Sequence, residues 1–400
     1  MAELHFDFRD IFRAGRYGFS GRKITVHFLG LSLAYLIYEI FVYLSLLIAG
    51  GSAAKDFWNE YALLPVCLFV DYDFEPITIG AMWLGTVILF VFFFLTSTMV
   101  SKITIQQLRG DSFFSIKDSL GFAKKNWKAV FGTLVGLIVI FGLFAATPII
   151  VGLLGKIPGV GPIVVMLASI LAPIAFFLGL LMAYLIVILK VSLLFAPSVV
   201  ATADSDTFET VYQHFSMVWN QPWRVIIYET LLFGVKLICV PIWAIFCIAG
   251  FALAMLPVRF LIPMDMKIFM GHANKWLGEG IAKLSELPYV DKLLVFDRVA
   301  TTNLGVDQIS GFNLFLIKVT SIFMMGSILL ILLLVIAYLF SIASVGNTII
   351  YTILRRRIDG ENLLEVEEGQ ETSEPVATGE PDAQAEETSA KQTDSEEKSE

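Results

Sequence analysis

Charged side chains are scarce in this chain. Asp, Glu, Lys and Arg make up 16% of the 400 residues, against about 25% in a soluble globular domain. Cysteine is rarer still. Cys67, Cys239 and Cys247 show no paired spacing, which argues against a disulfide framework or a redox pair. The four histidines, His5, His27, His214 and His272, lie far apart and lack metal-ligand spacing, so no metal or other cofactor is expected. No phosphate-cradling loop and no Gly-x-Ser-x-Gly nucleophile turn occurs. Gly159-Val160-Gly161 runs straight into Pro162 and reads as a turn. Basic residues are dispersed and form no nucleic-acid-reading motif. These absences leave no catalytic residue to nominate and no nucleic-acid partner.

What is present is apolar. Hydrophobic residues make up 57% of the chain, gathered into six long runs. A run of about 20 apolar residues spans a bilayer core of ~30 Å. In hydrocarbon only a helix or a closed barrel satisfies its own backbone, and continuous rather than alternating runs select helices. The expected class is therefore all-α, a polytopic membrane protein of six spans. They fall at about 24–49, 80–101, 129–153, 174–196, 224–256 and 314–342. A short half-helix is expected before the fourth span, ending near Leu171, and a kink at Pro241 in the fifth.

The non-spanning segments complete the layout. Residues 1–23 form a basic amphipathic start, with Phe6, Phe8, Ile11, Phe12 and Phe19 among Arg9, Arg13, Arg16, Arg22 and Lys23. It reads as an interfacial helix leading into a signal anchor rather than a cleaved signal peptide. The outer segment 257–313 carries an amphipathic stretch over 264–287, read as an interfacial helix, a lid or a docking surface. The tail, 361–400, holds 14 acidic and 2 basic residues and no aromatic. It is too polar to bury a core and is expected to be disordered. Of the net charge of −8, the tail supplies −12, so the first 360 residues carry +4.

Lysine and arginine placement sets the orientation. With the N-terminus inside, segments 1–23, 102–128, 190–224 and 343–360 hold 16 basic residues, and the two short outer loops hold Lys55 and Lys156 alone. Segment 257–313 holds six and is the weak counterexample. An odd number of spans would place the first arginines or the Arg355 cluster outside. Both termini are thus expected on the cytoplasmic side of the membrane.

Two inner segments look alike: Ser112-Phe113 to Trp127-Lys128, and Thr207-Phe208 to Trp223-Arg224. Each is expected to be a capped amphipathic helix, with Asp111 or Ser112 and Asp206 or Thr207 at the caps. Trp127, Lys128, Trp223, Arg224, Arg355, Arg356 and Arg357 are the expected interface anchors. A second echo pairs Thr104 to Asp111 with Thr352 to Gly360: a span leaves through Arg and ends at Gly. Such an internal repeat arises by duplication of a helix-pair unit and also occurs in transporters. These anchors, the closing phrase Leu194-Phe195-Ala196-Pro197 and the terminal Asn347-Thr348, Tyr351 and Leu354-Arg355 carry a resemblance. Over about residues 100–360 the chain resembles a group of bacterial six-helix membrane proteins. That group includes the membrane domain fused to some glycerophosphodiester phosphodiesterases and several small inner-membrane families. The resemblance implies no catalytic residues, and no stretch here could hold the phosphodiesterase barrel of ~250 residues.

Ionisable residues within spans are the default functional candidates. Glu39, Lys190, Glu229 and Lys236 are the intramembrane set. Lys190 and Glu229 sit at similar depth on sequential spans and are candidates to pair. Gly132 and Gly136 form a Gly-x-x-x-Gly read as helix packing. Three functional readings stay open, one of them a membrane-embedded lipid enzyme, which would need polar residues clustered at one interface. The first is a non-enzymatic membrane protein that organises lipid or serves as a subunit of a membrane assembly, with membrane lipids, a membrane-protein partner or a second copy as its partners. The alternative is a transporter or channel for a small solute or lipid, with the four ionisable residues lining a polar path.

Overall fold

The computed structural model describes residues 4–61, 63, 74–261, 312–360 and 362–365. The expected helix over 264–287 and the acidic tail beyond residue 365 lie outside the described residues. Within them there are ten helices and no strand. They are α1 (Arg9–Gly18), α2 (Gly21–Ala49), α3 (Gly51–Tyr61), α4 (Pro76–Arg109), α5 (Ile116–Gly155), α6 (Gly161–Ile170), α7 (Ala172–Ala203), α8 (Thr207–Asn220), α9 (Pro222–Leu261) and α10 (Phe312–Asp359). Six of them, α2, α4, α5, α7, α9 and α10, are long and apolar enough to cross a membrane. The chain is therefore read as a multi-pass membrane protein.

The helices outrun the expected spans, mostly at the ends nearest the arginines. α4 continues past Lys102 to Arg109, and α10 runs to Asp359 rather than to 342. α5 begins at Ile116 rather than at 129. A charge ends a hydropathy run, but only a cap or a left-handed residue ends a helix. Gly110 (φ +108°) stops α4 and Gly360 (φ +73°) follows α10. At the start of α5 the cap is Ser115, whose hydroxyl accepts the Asp118 N–H at 3.1 Å. Neither expected cap, Asp111 or Ser112, holds that place; Asp111 accepts the Phe113 N–H at 3.0 Å and closes a turn instead. Asp206 does cap α8, accepting the Glu209 N–H at 2.8 Å. Trp127 thus lies inside one continuous helix, whereas α8 is a separate element that ends before Pro222. The half-helix α6 stands where it was expected, and α9 runs through Pro241 as one helix.

α10 is the axis of the bundle and packs on α1, α2, α4, α7 and α9. α4 joins α2, α5 and α7, while α8 is held against α5 and α7. Burial is concentrated towards the end that gathers α1 and the last turns of α4 and α10. Every residue in 96–105, in 195–202 and in 344–354 is buried, so these stretches of α4, α7 and α10 have no outward face. The opposite parts of α5, α6, α7 and α9 are largely exposed, with Leu143, Ile170, Phe177, Ile245 and Phe246 each more than 60% open. Hydrophobic side chains left bare over such lengths suit a lipid surrounding.

Glycine sets several close approaches, two of them on α10. A Cβ on Gly346 of α10 would run into the Leu232 side chain of α9. One on Gly18 would meet Ile342 at 3.0 Å. Of the Gly132/Gly136 pair, Gly132 packs within the protein as expected and Gly136 does not. A Cβ on Gly132 would meet Thr207 Oγ1 at 2.8 Å, at the start of α8, while Gly136 faces open space.

Candidate functional site

Where α2, α4, α7 and α10 meet, the buried polar side chains that face one another are hydroxyls, an amide and an imidazole. Helical periodicity accounts for their convergence: Ser97 and Ser101, Ser198 and Thr202, and Ser344, Thr348 and Thr352 each recur at intervals of four. His27 of α2 is 1% exposed. Its Nδ1 lies 3.1 Å from Thr96 Oγ1 of α4 and its Nε2 lies 3.2 Å from Ser344 Oγ of α10. The Thr96 hydroxyl gives its proton to the Phe92 carbonyl at 2.9 Å. Its oxygen therefore accepts from the His27 Nδ1–H, and Nε2 accepts from Ser344. One imidazole thus ties three helices.

One turn further along, Ser198 Oγ of α7 lies 3.2 Å from Ser101 Oγ and 3.4 Å from Thr348 Oγ1. Asn347 Nδ2 donates to the Leu194 carbonyl at 2.8 Å. Several hydroxyls close back on their own helix four residues earlier: Thr98 on Phe94, Thr104 on Val100, Thr202 on Ser198 and Thr348 on Ser344. Ser97 Oγ, Ser192 Oγ and Asn347 Oδ1 have no protein partner. The seam is closed by side chains rather than lined around an opening. An open cleft of about 520 Å³ lies elsewhere, between α5, α6 and α7, and is lined by Val151, Gly155, Lys156 and Val165 among others.

Below the seam, α8 is pinned in place. Tyr351 Oη donates to Gln213 Oε1 at 2.7 Å. His214 Nδ1–H donates to the Thr210 carbonyl at 2.6 Å, and the ring is wholly buried. Burial pushes the His214 pKa down to about 4, against a smaller upward pull from that carbonyl.

Of the ionisable residues proposed for a path, Glu229 and Lys236, seven apart on α9, lie within electrostatic reach of each other, and Glu39 and Lys190 do not join them. Glu39 is half-buried, ten residues or about 15 Å from the far end of α2. Lys190 of α7 is exposed. Glu229 and Lys236 are half-buried on α9, a helix that packs mainly on α10 and α1. Glu229 Oε1 is buried without a hydrogen-bond partner, and the cation that acts on Glu229 is Lys236 rather than the expected Lys190. None of the four touches the hydroxyl seam. Among the described residues no group of three His, Cys, Asp or Glu side chains could hold a metal ion.

No protein family, curated protein or solved structure matches this chain.

The expected anchors divide into two kinds. Trp127, Lys128, Trp223 and Arg224 are exposed, and Arg224 also donates to Gln221 Oε1 at 2.9 Å. The arginines closing α10 are structural. Arg355 pairs with Asp359, Arg356 stacks 3.8 Å over the Phe6 ring, and Arg357 donates to the Phe6 carbonyl at 3.1 Å. Sequence reasoning missed the seam because its members carry no charge. The visible signal was the four-residue recurrence of Ser and Thr near the ends of three spans.

Proposed function

We propose that this chain is a non-enzymatic protein of the bacterial cytoplasmic membrane, with both termini inside. In this reading it organises lipid or serves as a subunit of a membrane assembly. Its partners are membrane lipids and a membrane protein or a second copy. The observation that supports this reading is the closed seam. Most polar groups of α2, α4, α7 and α10 bond one another or their own helix backbone, while the opposite halves of α5, α7 and α9 offer bare apolar surface. In lipid, hydroxyl and amide bonds of this kind hold helices together, and apolar burial adds little between helices. The resemblance to the six-helix membrane domains fits the same role.

Native mass spectrometry of the protein released from its own membrane in mild detergent tests this. Retained phospholipid or a stoichiometric protein partner is the expected result. A stoichiometric small solute with neither would contradict it. That outcome would favour the transport reading, which draws support from the three unpartnered seam atoms of Ser97, Ser192 and Asn347.

A further inference from the structure

The first turns of α5 carry a row of cations. Lys117, Lys124 and Lys128, spaced seven and four apart, fall on one strip of the helix, and Lys125 stands beside it. All four are exposed, and none makes an ion pair among the described residues. Midway along the strip Gly121 faces open space. Asp118 is the one acid within 116–128; it lies about 100° round the helix from Lys117 and accepts the Ser115 hydroxyl at 2.6 Å. The acids at the adjoining end of α7 and start of α8 are bonded too. Asp204 accepts the Asn126 amide at 3.2 Å, Asp206 caps α8, and Glu209 accepts the Gln213 amide.

At the start of the strip, the loop before α5 presents Phe113, 91% exposed. That loop is tethered. Arg22 of α2 donates to the Phe114 carbonyl at 3.1 Å and also to the Ser112 carbonyl. A bare ring on a tethered loop needs little further ordering to enter a partner's pocket.

Length separates a lipid ligand from a protein one. Phe94 of α4 meets Phe131 of α5 at 5.8 Å, and the Lys102 ammonium lies 4.0 Å from the Phe122 ring, so the two helices run antiparallel. Residues 116–122 therefore lie beside the turns of α4 that continue past its apolar run. From Lys128, next to Trp127, to Lys117 the strip is roughly 17 Å long. The headgroup layer is only about 5–8 Å deep on each side of a bilayer. A helix leaving the membrane lengthwise brings its Lys128 end to the headgroups, and Lys117 and Phe113 stand beyond them.

We infer that this strip docks an acidic segment of a partner protein, with carboxylates at Lys117, Lys124 and Lys128 and an apolar side chain against Phe113. This rests on the assembly reading above and names the chemistry of the partner. Lysines in a row, with one acid set off to the side, complement carboxylates and repel a second copy of the same strip.

The test follows the fluorescence anisotropy of a labelled Glu-rich peptide carrying one Leu, added to the full chain in phosphatidylcholine nanodiscs. The same peptide with Gln in place of Glu is the comparison. The Glu peptide is expected to bind, and more weakly as salt rises. K117Q/K124Q/K128Q should lower its affinity on the order of tenfold at low salt, with an unchanged thermal melt because the side chains are exposed. F113A should lower it by a smaller factor. R9Q/R16Q/K156Q removes as much charge from other exposed positions and should keep the affinity. Equal losses in the two triple variants, or equal binding of the two peptides, would overturn the docking strip. A preference for phosphatidylglycerol that K117Q/K124Q/K128Q abolishes, counted by native mass spectrometry, would assign the strip to lipid instead. A stoichiometric protein partner still held by that variant would overturn the strip and leave the assembly reading intact. Retention of neither lipid nor protein by the wild type would remove both.

Discussion

Tyr351 of α10 donates a 2.7 Å hydrogen bond to Gln213 of α8, and both side chains are buried. This bond reaches from the central helix to an element that the sequence places at the membrane surface. Gln213 also donates to Glu209 Oε1 at 3.2 Å, one turn back on α8. Tyr351→Phe leaves the buried amide oxygen without that donor and should destabilise the protein by about 1–3 kcal/mol. A thermal melt in detergent measures it. Adding Gln213→Leu to Tyr351→Phe should restore part of the loss, because neither polar partner then remains buried alone.

His27 binds three helices through two hydrogen bonds. Replacement by Leu removes both and leaves Ser344 without its acceptor. The expected loss is about 1–3 kcal/mol, larger than for a hydroxyl that closes on its own helix, such as Thr104→Val. Comparing the two variants by melting separates bonds between helices from bonds within one. Equal losses would mean that His27 contributes shape alone.

His214 supplies a pH dependence. Its pKa in the fold, about 4, lies below the ordinary value of 6.5 because burial disfavours the imidazolium. Below pH 6.5 the unfolded chain takes up a proton that the folded chain refuses. Stability is therefore full above pH 6.5 and falls as pH drops towards 4, by roughly 3 kcal/mol in all. Melts of the wild type and His214→Met between pH 7.5 and 4.5 should diverge, the wild type losing more. Parallel curves would contradict the buried neutral imidazole.

Lys190 is exposed on α7 and Glu229 is half-buried on α9, with no ion pair between them. Neutralising both should therefore equal the sum of the single effects within about 0.5 kcal/mol, the limit for independent sites. A double-mutant cycle on Lys190→Met and Glu229→Gln checks it. A larger coupling would mean that the two side chains meet.

The six spans were legible because hydropathy reads lipid exposure directly, and the exposed halves of α5, α7 and α9 are its source. The ends were less so. Lys102 ends an apolar run, yet α4 continues to Arg109 until Gly110 adopts φ +108°. The cap at Asp206 was readable from residue type, but at the matching place Asp111 turned the chain and Ser115 took the cap. The site was the least legible part. A search for charge finds Glu39, Lys190, Glu229 and Lys236, of which only Glu229 and Lys236 interact. The residues that meet are neutral, and their meeting depends on the packing of α10 against α4 and α7, which no single helix encodes.

The central claim is that the seam of α4, α7 and α10 is sealed packing and not a route. Ser101→Cys, Ser198→Cys and Thr348→Cys, each made in a chain with Cys67, Cys239 and Cys247 replaced by Ala, test it most directly. Each is reconstituted in vesicles and treated on both sides with a charged thiol reagent, with exposed Lys125→Cys as the reactive control. The seam cysteines should stay unlabelled while the control reacts. Labelling of any seam position at a rate near that of the control would show water in the seam and contradict the claim.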